Sequence, residues 1–271
     1  MSGLQNKECH VALCAMSDPV CNDLRFVAGL VDQLEARGIA VDVDQSVLQD
    51  LPPEEKAQCL NALFAADYDW ILDISGGNLA NLILPFIEWK TYSQSKAFMA
   101  GFSDLSVVLN ALAFKAKKKT LLLAVGYQRD FDRLASFLKG ESGDIVSFSL
   151  QTGKLPDSFP SFAGGNLRCF MKLMGTDFQP KIEGQVLFLE AMGGSQGVIC
   201  SLLAQAAQAG YFKSASGVLF GCFSELDQNL GEIESTLFLR QCMQMFAPDL
   251  PFGRTLEIGH QVDTKGLWIA Y

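Results

Sequence analysis

Only two histidines stand in this chain, His10 and His260, so any chemistry needing an imidazole as general base must use one of them. His10 opens an apolar run, where a structural role is the simpler reading. His260 follows Glu257-Ile258-Gly259, a strand end and a glycine that can turn the backbone and present a side chain. Ser103 lies in Gly101-Phe102-Ser103-Asp104-Leu105, where a strand gives way to a helix. A hydroxyl there sits at the positive end of the helix, and the Asp104 N–H could donate to an oxyanion. The plainer role for Ser103 is a helix N-cap. The spacing is not a G-x-S-x-G elbow, because Leu105 occupies the last position. Ser75-Gly76-Gly77-Asn78 could offer backbone N–H groups to an anion, or form a tight turn into a helix. Glu190 closes the apolar run Val186-Leu187-Phe188-Leu189 and is either a surface acid or a partner for a histidine ring.

Other chemistries find less support. There is no Gly-Lys-Ser/Thr ending to the glycine turn and no G-x-G-x-x-G after the first strand, so nucleotide binding has no motif behind it. Eight cysteines contain no C-x-x-C pair and no cysteine–histidine cluster. They read as reduced, mostly buried thiols, with no metal site expected. The net charge of −9 argues against a nucleic-acid or anionic-membrane partner, though not against a small anionic substrate. No basic stretch leading into an apolar one opens the sequence and no apolar run reaches membrane-span length, so a cytoplasmic protein is expected.

These residues need a scaffold, and the first half reads as alternating strands and amphipathic helices. Strands are predicted at 10–16, 39–43, 70–74, 97–101 and 120–125, with helices at 21–37, 53–66, 78–89, 104–117 and 129–138. Such alternation implies right-handed βαβ crossovers and a mostly parallel sheet covered on both faces. Ligands bind beyond the carboxyl ends of strands in such a sheet, which directs attention to the turns holding Gly77 and Ser103. The stretch 140–165 breaks the rhythm with two prolines, five glycines and five serines. Strands at 186–189, 217–223 and 255–258 and helices at 196–209 and 232–246 complete a smaller, mixed α/β half. The expected organisation is a three-layer α/β lobe over 1–145, a linker over 146–163 and a C-terminal lobe over 164–271.

The joint pattern is more specific than its parts. Gly76-Gly77, Leu84-Pro85-Phe86, Lys96-Ala97-Phe98 and Gly101-Phe102-Ser103-Asp104-Leu105-Ser106 follow in order. Gly164-Gly165-Asn166-Leu167, Leu173-Met174-Gly175-Thr176, Val186 to Glu190, and Gly259-His260 continue it. This resembles the LD-carboxypeptidase (muramoyltetrapeptide carboxypeptidase) family, which includes the microcin C-resistance peptidases. The resemblance implies a Ser103, Glu190, His260 triad, with the N–H groups of Gly77 and Asp104 as oxyanion hole. It implies hydrolysis of an amide joining an L-centre to a C-terminal D-residue, no metal or organic cofactor, a small peptide as substrate, and a homodimer. A related amidase acting on a peptidyl-nucleotide, and a catalytically idle binding protein, are the other readings. The chain departs from the family at Ser75, where arginine is usual; at Ala191, where aspartate usually follows the acid; and at Gly126-Tyr127-Gln128, where His-Gly-Pro is expected. Ser75 and Gly76 are the residues expected to meet substrate beside the oxyanion turn.

Overall fold

The computed structural model describes residues 9–271. Its strands are β1 (Cys9–Cys14), β2 (Ile39–Val43), β3 (Trp70–Asp73), β4 (Phe98–Gly101), β5 (Thr120–Leu122), β6 (Thr152–Gly153), β7 (Phe162–Asn166), β8 (Val186–Ala191), β9 (Gly217–Phe223), β10 (Phe252–Arg254) and β11 (Leu267–Ile269). They form one sheet in the order β2-β1-β3-β4-β5-β11-β7-β8-β9-β10-β6. Every pairing is parallel except β11 with β5 and β10 with β6.

The apolar runs become strands because both sheet faces are covered. Val11 and Leu13 of β1 enter one core cluster, and Ala12 and Cys14 the other. Trp70 and Leu72 of β3 likewise oppose Ile71 across the sheet. The helix Leu24–Glu35 is N-capped by Asp23, whose side chain accepts from the Phe26 N–H, and buries Val27, Leu30 and Leu34. Gly38, with φ of 70°, provides a left-handed residue in the turn beyond its C-cap, Ala36. The helix Pro53–Ala65 begins on proline with Glu54 and Glu55 in its first turn.

Several elements differ from expectation. The helix predicted over 78–89 is a 3-10 helix, Ala80–Phe86, followed by a separate α-helix, Trp89–Gln94. Pro85 lies inside the first, and its missing N–H and ring prevent α-helical continuation. The strand expected over 255–258 is β10 at Phe252–Arg254, although Thr255 N–H and Ile258 O still bond to β9. The glycine-rich end of the 140–165 stretch is β7, and β11 enters between β5 and β7 although three residues gave no periodic signal. The eight cysteines are all free, with Cys21 and Cys200 partly exposed and the rest buried. No described helix is long and apolar enough to cross a membrane.

Candidate active site

Three of the sequence-selected turns meet beyond the carboxyl ends of β3 and β4. Ser75, Gly76, Gly77, Ser103 and His260 line one cleft of about 330 Å³ together with Asp73, Phe26, Phe102, Tyr127 and Met192.

Ser103 follows β4 through Phe102 and begins a 3-10 turn, Ser103–Leu105, that leads into the helix Ser106–Ala116. Its φ is 56°, a left-handed conformation uncommon for a non-glycine residue and costly by about 1 kcal/mol or more. A sharp turn of this kind lifts the side chain off the strand axis and into the cleft. Two neighbours hold it. A Cβ on Gly101 would stand 3.0 Å from that of Leu105, so glycine lets the turn fold back on its strand. The Asp104 carboxylate, wholly buried, accepts from Ser17 Oγ at 2.6 Å, from the Ala80 N–H at 2.8 Å and from Lys172 Nζ at 2.5 Å. Burial alone would raise its pKa. The bonds from Lys172, Ser17 and Ala80, with the charge of Lys172, more than offset that and hold it below the usual range. Asp104 can therefore offer only its backbone N–H to a ligand.

Glu190 is fully buried near the end of β8. One carboxylate oxygen contacts His260 Nδ1 at 2.8 Å, and the other accepts from Asn166 Nδ2 at 2.9 Å. A carboxylate can only accept, so His260 carries its proton on Nδ1 and leaves Nε2 as the basic nitrogen. That Nε2 is buried and has no hydrogen-bond partner. The ring stands edge-on to Phe102 and Tyr127, with centroids 5.0 and 6.1 Å away. Gly259 permits the approach, since a Cβ there would fall 2.5 Å from that of Cys222 on β9.

The turn from Ser75 to Asn78 is fixed from both sides. Ser75 Oγ donates to Asp73 Oδ1 at 2.7 Å and accepts from the Ser17 N–H at 2.9 Å, which commits the hydroxyl to the scaffold. Asp73 is buried, and desolvation pushes its pKa up to about 6 against hydrogen bonds from Ser75 and Met16. Gly77 has φ of 129°, and a Cβ there would lie 2.1 Å from the Asp18 carboxylate. Asp18 in turn donates its N–H to Gly76 O and accepts from the Asn78 N–H, both at 3.1 Å. Arg168 donates to Gly77 O and to the Asn78 side chain, and Lys172 to Asn78 O. The Gly77 N–H bonds to no described residue.

The sequence picks out Ser75, Gly76, Gly77, Ser103 and His260 of the cleft, but gives no role to the other side chains that line it. Asn166 stood within a noted motif without a role. Tyr127 stood only as a departure from the expected His-Gly-Pro turn, and Lys172 and Met192 carried no local signal, because their relation to Ser103 and His260 is entirely tertiary. No group of three or more histidine, cysteine or acidic side chains that could hold a metal occurs among the described residues.

Comparison with known proteins defines the class. Profiles of the LD-carboxypeptidase N-terminal and C-terminal domains match residues 11–122 and 161–269. The chain belongs to the LD-carboxypeptidase family, a peptidase family. Among individual relatives, protein RC0549 of Rickettsia conorii is 26% identical over 265 residues, covering 89% of this chain and 78% of its own length. The fold matches the wild-type microcin C7 self-immunity protein MccF with a TM-score of 0.77 at 16% identity, covering 97% of this chain and 96% of that one. It matches the muramoyltetrapeptide carboxypeptidase of Oxalobacter formigenes with a TM-score of 0.74 at 21% identity, covering 96% and 92%.

Proposed function

We propose that this chain is a serine peptidase that hydrolyses an LD-amide bond of a murein-type peptide and releases a C-terminal D-alanine. The observation that carries the reading is the buried Glu190–His260 pair at 2.8 Å, whose second ring nitrogen is left unpartnered in a cleft that Ser103 also lines. Ser103 Oγ attacks the scissile carbonyl while His260 Nε2 takes its proton. The tetrahedral oxyanion is met by the N–H groups of Gly77 and Asp104. Collapse breaks the C–N bond as His260 returns the proton to the leaving amine. Water, deprotonated by the same nitrogen, then attacks the ester and frees Ser103. Glu190 keeps the imidazole in the required tautomer and stabilises its cation. No cofactor enters this scheme. Ser75 and Gly76 would border the substrate beside the oxyanion turn, Ser75 through its backbone. We take the enzyme to be a cytoplasmic homodimer acting on a small peptide.

The experiment is incubation with murein tetrapeptide and measurement of free D-alanine, beside a Ser103→Ala control. Release that persists in the control removes Ser103 as nucleophile.

A second reading has its own support. No lysine or arginine lines the cleft among the described residues, and a carboxypeptidase needs a group to receive the terminal carboxylate. The structural neighbour MccF has been captured with glutamyl sulfamoyl guanosine and with aspartyl sulfamoyl adenosine. An aminoacyl-nucleotide amide assayed in parallel separates the two: turnover of that compound without D-alanine release selects the amidase.

A further inference from the structure

The two halves of the proposed triad arise on different parts of the sheet, and one residue joins them. Asn166 ends β7 and pairs in register with Glu190 on β8. It is buried and uses three groups. Its backbone N–H donates to Ser106 Oγ at 2.9 Å, at the first turn of the helix that follows Ser103. Its Nδ2 donates to Glu190 Oε1 at 2.9 Å, and its Oδ1 accepts from the Cys169 N–H at 3.3 Å as N-cap of the helix Leu167–Met171. The preceding glycines make room for this. A Cβ on Gly165 would stand 2.3 Å from Ser106 Oγ, and Gly164 exchanges two hydrogen bonds with the side chain of buried Asn110 on the same helix.

We propose that Asn166 is a positioning residue that registers the Glu190–His260 pair against the helix that follows Ser103. An acid holding an imidazole through one oxygen can pivot about its own χ angles. Fixing the other oxygen removes that freedom and sets the direction of His260 Nε2. Its backbone bond to Ser106 places the same residue at a fixed distance from the nucleophile turn. Capping of the short helix is a separate task, performed by a different atom, and the two can be parted by mutation.

The inference rests on the serine-peptidase reading, so the test must separate the failure of each. Asn166→Ser keeps a hydroxyl able to cap the helix but too short to reach Glu190. Asn166→Asp keeps the shape and sets a second carboxylate against Glu190. The rate of Ser103 acylation by a fluorophosphonate probe reads nucleophile activation without any assumption about substrate. Both variants should label more slowly than wild type, on the order of 10–100-fold, as expected for misaligned reacting groups. In a Glu190→Gln background, Asn166→Ser should add little, because its effect passes through the acid. The Nδ1 proton of His260, held against Glu190, supplies a second readout by proton NMR, with His10 the one other histidine of the chain. It should be sharp in wild type and broadened by exchange in Asn166→Ser.

Wild-type protein that Ser103-directed probes do not label overturns the peptidase reading, and the NMR signal then decides the positioning role alone. Labelled wild type with an equally fast Asn166→Ser variant overturns the inference. So does a loss that is fully additive with Glu190→Gln.

Discussion

Substituting Gly77 by alanine tests the oxyanion turn, because the structure states what the added methyl would meet. Its carbon would sit 2.1 Å from the Asp18 carboxylate, and the residue would be held at φ of 129°, which side chains rarely adopt. Asp18 is only half-buried and could swing away, but it then abandons the Asn78 N–H. Backbone strain of this kind costs about 1–3 kcal/mol. At roughly 2–4 °C per kcal/mol for a chain of this size, thermal unfolding should fall by about 2–12 °C. Relaxing the strain rotates the 76–77 peptide, and its N–H leaves the cleft. Loss of one oxyanion donor costs on the order of 10²–10³ in kcat. The assay is acylation of Ser103 by a fluorophosphonate alongside differential scanning. Combining Gly77→Ala with Asp18→Ala removes the clash and leaves the φ strain, so stability should recover partly and activity hardly at all. A Gly77→Ala protein that acylates within about threefold of wild type would refute the assignment of that N–H to the oxyanion.

Three further outcomes follow from single residues. Ser103→Gly should raise the melting temperature while abolishing acylation, since glycine accepts φ of 56° without the cost of roughly 1 kcal/mol borne by serine; a lower melting temperature would show that the turn is unstrained. Asp104 has a folded pKa below its ordinary value, so its stabilisation is complete above about pH 4 and is lost as pH falls through the folded value; acid unfolding of Lys172→Met should begin at higher pH than in wild type. Asp73 behaves oppositely: its folded pKa of about 6 exceeds the ordinary 3.8, so its ionisation destabilises the fold progressively as pH rises from about 4 to 6, by on the order of 2–3 kcal/mol. In urea melts, Asp73→Asn should flatten that part of the stability–pH curve, and an unchanged slope would locate the titration elsewhere.

The elements legible in the sequence are those whose signal is local. Strands β1 to β5 announce themselves by apolar runs, and the helices between them by amphipathic stretches. The candidate site was drawn from residue rarity and motif order, with one credible imidazole and a serine and a glutamate at strand ends. What escaped is tertiary. β7 reads as linker because Gly164 and Gly165 exist to admit the Ser106–Ala116 helix rather than to favour a strand. β11 spans three residues, too few for any period to register. The 3-10 course of Ala80–Phe86 keeps helical composition, and Pro85 alone betrays it. Ser103 lacked the small residue two positions on that marks a common elbow, yet its backbone adopts a left-handed turn all the same.

How the proposed nucleophile would be kept in register with its proposed base is then a question of which contacts cross between the two halves of the sheet. β11 bridges them, pairing three residues with β5 but a single residue, Ile269 with Phe162, on the β7 side. So thin a pairing cannot by itself fix Ser103 to within the fraction of an ångström that proton transfer to His260 requires. The helix Ser106–Ala116 carries the rest. It follows the nucleophile turn directly, and it meets β7 through Ser106 to Asn166 and through Asn110 to Gly164, while Tyr271 just beyond β11 donates to the same Asn110 at 2.5 Å. These are buried polar contacts, costly to leave unmade, and they are directional where apolar packing is not. On the proposed triad, glycine at 164 and 165 would act through distance rather than chemistry: it lets the helix that follows Ser103 bear directly on the strand that ends in Asn166.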